Sequence, residues 1–219
     1  MKSVRFFAVT MIVSGAIVLS QVAFGDVLIT NRTGRVRVIT PYGKVSFYSK
    51  DKPLPVIPSG SSVEIIHGSM DVALSDGIAQ AEAANSIALL SAEDKVTVSV
   101  DKKTGLGAYK VIKGNMVIQA VNTSAYLKAG QAVEIKWSEF EGVSEVESTS
   151  GDIETITHGV NIVVSEGALV KISTSAITRE VHVKVEKGAV AVTAIDGKVA
   201  KLTQGEKIAL PGSDAVGSK

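Results

Sequence analysis

The chain has no cysteine, only three histidines and one tryptophan, and aromatic residues make up just 5% of it. Without cysteine there is no disulfide, no thiolate nucleophile and no thiolate metal ligand, so burial and backbone pairing must hold the fold together. The same absence excludes a lipid-anchored cysteine at a leader cleavage site. His67, His158 and His182 stand far apart and form no HxH or HExxH spacing, which leaves no zinc motif. Neither GxSxG nor a P-loop occurs, so the usual signatures of serine hydrolases and nucleotide-binding enzymes are missing. Scarce aromatics also place a carbohydrate-active solenoid enzyme, which needs a ring-lined groove and paired carboxylates, last among the function classes. No cofactor is indicated, and the expectation is a protein that is not an enzyme.

An excess of charge of one sign is lacking as well. Residues 1–25 read as a secretory signal peptide: Lys2 and Arg5 open it, Phe6 to Leu19 is apolar apart from Thr10 and Ser14, and Ala23-Phe24-Gly25 offers small residues at a cleavage site. The apolar run falls short of the roughly 20 residues that span a bilayer, so the reading is cleavage before Asp26 rather than a membrane anchor. Removing Lys2 and Arg5 leaves 21 basic against 22 acidic residues. That balance argues against a nucleic-acid partner, because displacing counterions from phosphates takes an excess of cations.

What the chain does contain is alternation and glycine. Val181-His182-Val183-Lys184-Val185 and Val96-Thr97-Val98-Ser99-Val100 place valines on one face and polar residues on the other, the pattern of a half-buried strand. Ile78 to Leu90, IAQAEAANSIALL, is alanine-rich, but it holds no single helical face, and Asn85-Ser86 reads as a turn between two strands. KVIKG at Lys110 to Gly114 returns 74 residues later as KVEKG at Lys184 to Gly188. The echo extends through a polar turn, a short strand ending in Leu127 or Leu202, and a second glycine at Gly130 or Gly205. Upstream, LSDG at Leu74 to Gly77 pairs with VSEG at Val164 to Gly167, which makes Asp76 and Glu166 equivalent turn residues. The fold expectation is all-β: two tandem small β-solenoid-like or rolled-sheet modules related by this internal repeat.

Taken in order, IPSGSSVEI, DVALSDGIAQAEAANSIALL, YKVIKGNMVIQAV and YLKAGQAVEI resemble the FecR domain, with its entry strand, DG turn, ANS turn, glycine hairpin and closing L-x-x-G-x-x-V. A second, shorter and more diverged copy runs from VVSEGALVKISTSAI to the end of the repeat. The resemblance implies a small β domain outside the cytoplasm. The anti-sigma segment, membrane helix and receptor-contact domain of the regulators that named the family have no counterpart after Gly25, so signalling to a sigma factor does not carry over.

The resulting organisation is a signal peptide at 1–25, a first FecR-like module with basic N-terminal strands at 26–136, an acidic linker at 137–151, a second module at 152–211, and a disordered tail at 212–219. Arg32, Arg35 and Arg37 stand in a basic N-terminal stretch, and Trp137 opens the linker. These four are the candidate ligand or partner contacts, by charge for an anionic surface and by stacking for a sugar ring. The function expected is an exported, non-enzymatic binding or assembly scaffold of the periplasm or cell surface. Its partner would be an envelope protein or polysaccharide, with self-association between the acidic linker and the basic N-terminus as a further possibility. The alternative is an envelope sensor component that contacts a membrane signalling partner.

Overall fold

The computed structural model describes residues 26–101, 103–138, 141–175 and 177–213. The signal-peptide expectation for 1–25, and all but the first two residues of the expected tail, lie outside the described residues. Within them the chain is all-β, as alternation and glycine spacing anticipate. The strands are β1 Asp26–Thr30, β2 Arg35–Ile39, β3 Val45–Tyr48, β4 Ile57–Pro58 and the long β5 Ser62–Leu74. Then come β6 Ile78–Ala83, β7 Ser86–Ser91, β8 Lys95–Val100, β9 Gly107–Lys113, β10 Asn115–Ala120, β11 Thr123–Lys128, β12 Ala132–Ser138 and β13 Val143–Ser150. The last are β14 Ile153–Thr157, β15 Val160–Val164, β16 Leu169–Thr174, β17 Glu180–Lys187, β18 Ala189–Thr193, β19 Val199–Thr203 and β20 Lys207–Pro211.

Two ladders share these strands. Sheet A runs β4-β1-β5-β8-β9-β12-β13-β16-β17-β20. Sheet B runs β3-β2-β5-β6-β7-β10-β11-β14-β15-β18-β19. From β6 onward the chain lays one hairpin in sheet B, the next in sheet A, and so on, so the sheets face each other as a flattened, nearly closed barrel. β5 belongs to both, its first half in sheet B and its second in sheet A. It passes between them at Gly68, where the backbone of Gly34 comes so close that a Cβ on Gly68 would lie 2.7 Å from the Gly34 Cα. The pairing of β5 with β6 is parallel and every other pairing among the described residues is antiparallel.

The true period of the stack is half the repeat visible in the sequence. Gly77, Gly114, Gly151 and Gly188, spaced 37 residues apart, each carry positive φ where the chain leaves sheet A for sheet B. The return corner, from sheet B to sheet A, has positive φ at Glu93, Gly130, Gly167 and Gly205. KVIKG and KVEKG are therefore two periods apart, and the copy between them, around Gly151, is spelled ESTSG and escapes a letter match. This corrects three expectations. The stretch 137–151 is no solvated linker: it holds the end of β12 and all of β13, paired to β16. Pairing runs unbroken along both sheets, so two separate modules are not what the strands form. Asp76 and Glu166 occupy different corners, since Gly77 leads into sheet B and Gly167 into sheet A.

The inward faces make one core that includes Val63, Val96, Val111, Ile118, Ile135, Ile162, Val183 and Val192, all essentially without solvent contact. Tyr109 on β9 crosses that core to the β6–β7 turn, where its hydroxyl donates to the Ser86 carbonyl at 2.8 Å and lies 2.9 Å from Ser86 Oγ. Burial pushes this hydroxyl well above the ordinary tyrosine pKa, an effect that the Ser86 and Ala83 hydrogen bonds only partly offset. Folding thus favours the neutral phenol. Its contribution is complete below about pH 10, where an unfolded tyrosine stays protonated, and is lost as pH rises beyond that. Tyr109→Phe is expected to be about 1 kcal/mol less stable than the parent at pH 8, and the gap should close by about pH 11; urea unfolding at the two pH values checks this. The corner makes a second prediction. A Cβ on Gly114 would lie 1.8 Å from Asp94 Oδ1, whereas at Gly197, also at positive φ, nothing is within 4 Å. Gly197→Ala should cost about 1–2 kcal/mol from backbone strain alone, and Gly114→Ala about 1–3 kcal/mol more for the overlap, read from the same urea midpoints.

Candidate functional site

Each internal boundary of the stack is closed by the hairpins that follow it. β15 is covered by β18 and β17 by β20. At the C-terminal end β19 and β20 are the last strands of their sheets among the described residues, and the space between them is open. It forms a cleft of about 810 Å³ lined by Val192, Ala194, Ile195, Val199, Ile208 and Leu210, with Asp196 and Lys198 at the rim. Those two rim charges pair with each other, Nζ to Oδ2 at 2.7 Å. The inward side chains are only partly covered there: Ala200, Ile208 and Leu210 are half-buried, against 0% exposure for Val192 one strand further in, and Ile195 beside them is 49% exposed. The outer edges of β19 and β20 also leave backbone N–H and C=O groups without ladder partners, which makes them templates for another strand.

The opposite end is finished differently. In sheet A, β1 is backed by the two-residue β4, and the proline-rich loop before it lays Leu54 against the core while Ile57 is buried. In sheet B, β3 is the edge strand among the described residues. Val45 and Phe47 point outward, 52% and 50% exposed, while Ser46 and Tyr48 lie opposite the buried Val38 and Val36. No charged residue falls between Lys44 and Lys50.

The four sequence candidates are not brought together. Arg35 and Arg37 do alternate on the outer face of β2. The Arg35 guanidinium sits 5.0 Å from the centre of the Phe47 ring, Arg37 pairs with Glu64 on β5, and Arg32 donates to the Lys50 and Lys52 carbonyls. Each is engaged by its own molecule. Trp137 lies in the other sheet, on the core side of the end of β12 opposite Ser144, and is half-buried. Two acids of the 137–151 stretch are paired within sheet A, with Glu145 2.9 Å from Lys171 Nζ and Glu147 3.1 Å from Lys187 Nζ. His182 lies on the wet face of β17 beside Glu180, and no group of three or more acidic or histidine side chains among the described residues could hold a metal ion.

One further groove, of about 500 Å³, crosses the outer face of sheet B between Val117, Tyr126, Lys128, Asp152 and Glu154. Tyr126 and Glu154 are cross-strand partners. Glu154 accepts from Asn161 and Asp152 from the Glu166 amide, so the carboxylates are positioned as hydrogen-bond acceptors beside a half-exposed ring. Sequence inspection missed both this groove and the open end. The first depends on register across strands 28 residues apart, and the second on which strands come last. No family model, no curated protein and no solved structure matches the chain.

Proposed function

We propose that the chain is an exported, non-enzymatic binding or assembly scaffold of FecR-domain type, acting in the periplasm or at the cell surface, and that its partner site is the open end at β19 and β20. The uncovered apolar cleft carries this reading. Inward apolar side chains that are fully buried further along the stack are only half-covered here, beside unpaired strand edges, and exposed apolar patches of this kind mark interaction sites. The leader-like residues 1–25 support export. The order of the entry strand, DG turn, ANS turn and glycine hairpin supports the family. An envelope sensor component would use the same end to meet its membrane partner. The outer groove at Tyr126 supports polysaccharide as a second class of partner, since a flat ring flanked by carboxylate acceptors suits a sugar.

The test is a comparison of wild type with Ala200→Lys. Ala200 faces the cleft from β19, where a lysine head can still reach water in the free protein but would be trapped by a bound partner. Immobilised wild-type chain should retain a defined envelope component that the variant loses at least tenfold. Equal retention by both, or none by either, overturns the placement of the site. Tyr126→Ala should leave that component bound and weaken only retention on polysaccharide.

A further inference from the structure

We infer that the occupant of the open end is a second copy of the same chain, joined head to tail: the β3 edge of one copy closes the β19 and β20 end of the next. The inference rests on the reading that the open end is a binding surface, and adds what fills it.

Strand direction supplies the first argument. Counting the pairings through sheet B, with its one parallel step between β5 and β6, β3 and β19 run in opposite directions. Counting through sheet A, β4 and β20 are also opposed. A copy advanced along the stack without being turned over therefore presents β3 as an antiparallel partner to β19, with the short β4 running antiparallel to β20 beside it. Side-chain facing supplies the second. β3 alternates Ser46 and Tyr48 inward with Val45 and Phe47 outward, and β19 alternates Ala200 and Leu202 inward with Val199 and Lys201 outward. Pairing in phase puts the large Tyr48 ring beside the small Ala200, in the cleft of about 810 Å³, and aligns the outward residues on one surface.

Charge selects between this arrangement and the symmetric ones. Two tails joined edge to edge would bring Lys201 and Lys207 against their own copies, while Lys198 is paired with Asp196. Two heads would bring together the stretch that carries Arg32, Arg35, Lys44, Lys50 and Lys52. Both juxtapose like charges, which disfavours them. Head to tail, the residues of β3 themselves bring no charge against β19. Such a contact joins two different surfaces, so it does not close on itself and can propagate.

Blocking one end at a time tests it. Ser46→Lys places a charge on the inward face of the head edge, and Ala200→Lys does so at the tail; inward charges on edge strands oppose pairing. In sedimentation velocity the wild type should gain mass with concentration, each variant alone should stay monomeric, and an equimolar mixture of the two should form dimers and nothing larger. Ser46→Glu and Ala200→Glu should repeat the pattern, with circular dichroism confirming that all four are folded. A wild type that is monomeric throughout overturns the inference, as does either variant dimerising alone, which would mean a symmetric contact. If the wild type is monomeric while Ala200→Lys still loses a captured envelope component, the open end binds something other than this chain; if nothing is lost either, the site itself is overturned.

Discussion

The constraint on which the rest of the structure depends is the corner that carries the chain from sheet B back to sheet A. At each one, the same two backbone hydrogen bonds lock the corner to the end of the preceding sheet A strand. Gly130 donates to the Val111 carbonyl and Val111 donates to the Gln131 carbonyl; Gly167 and Ala168 repeat this with Ser148, and Gly205 and Glu206 with Val185. Glu93 and Asp94 do the same with Leu74. Just beyond each of three such contacts the strand carries an extra residue, with register shifts at Lys95/Val96, Ala132/Val133 and Leu169/Val170. A bulge bends and twists a strand locally, and here it aims the chain out of sheet A toward the glycine that starts the next hairpin of sheet B.

The two corners of a period stack side by side, which explains their residues jointly. Asp94 accepts the Ser91 amide, Gln131 the Lys128 amide and Glu206 the Thr203 amide through their side chains, and the side chains of Asp94 and Gln131 occupy the space where a Cβ would stand on the neighbouring glycine. Gly114 faces Asp94, and Gly151 faces Gln131. Where the corner residue is Ala168 the amide loses its side-chain acceptor, yet Gly188 is still required because the alanine methyl fills the same room. Backbone geometry is thus repeated more faithfully than side-chain identity. Hydrogen bonds between main-chain groups can be kept while the letters drift.

A stack built this way has edge strands, and at these the ladder groups of the backbone are left unpaired. Inside, charges are paired strand to strand, as with Glu145 and Lys171, and the apolar faces are sealed. At β19 and β20 the same inward-facing pattern continues with no further strand among the described residues, so half-covered apolar surface and open backbone coincide. The head end is partly finished by β4 and by Leu54, which leaves β3 as the free edge. Function is read from this asymmetry and not from any reactive side chain. The one strongly shifted titratable group among the described residues, Tyr109, is held between the sheets by Ser86 and serves the fold.

The sequence by itself determined the strand content and the places where the chain must turn, because alternation fixes which face is buried and positive φ at a close approach admits little but glycine. It determined the hairpin around Ala84 and Asn85 and half of the periodicity, since KVxKG happened to be respelled in alternate copies. It did not reveal the intermediate copy at Gly151, whose acidic strand looks like a linker until Lys171 on the neighbouring β16 and Lys187 on β17 beyond it are seen to pair with Glu145 and Glu147. Nor could it separate Asp76 from Glu166, because a DG and an EG turn look alike although one leads into each sheet. Only the tertiary structure decided that one continuous stack forms, that Arg32, Arg35 and Arg37 are occupied locally, and that the open surface lies at β19 and β20. Those outcomes depend on which strands pair across long stretches of chain, and pairing is set by register and burial between segments whose local patterns are nearly interchangeable.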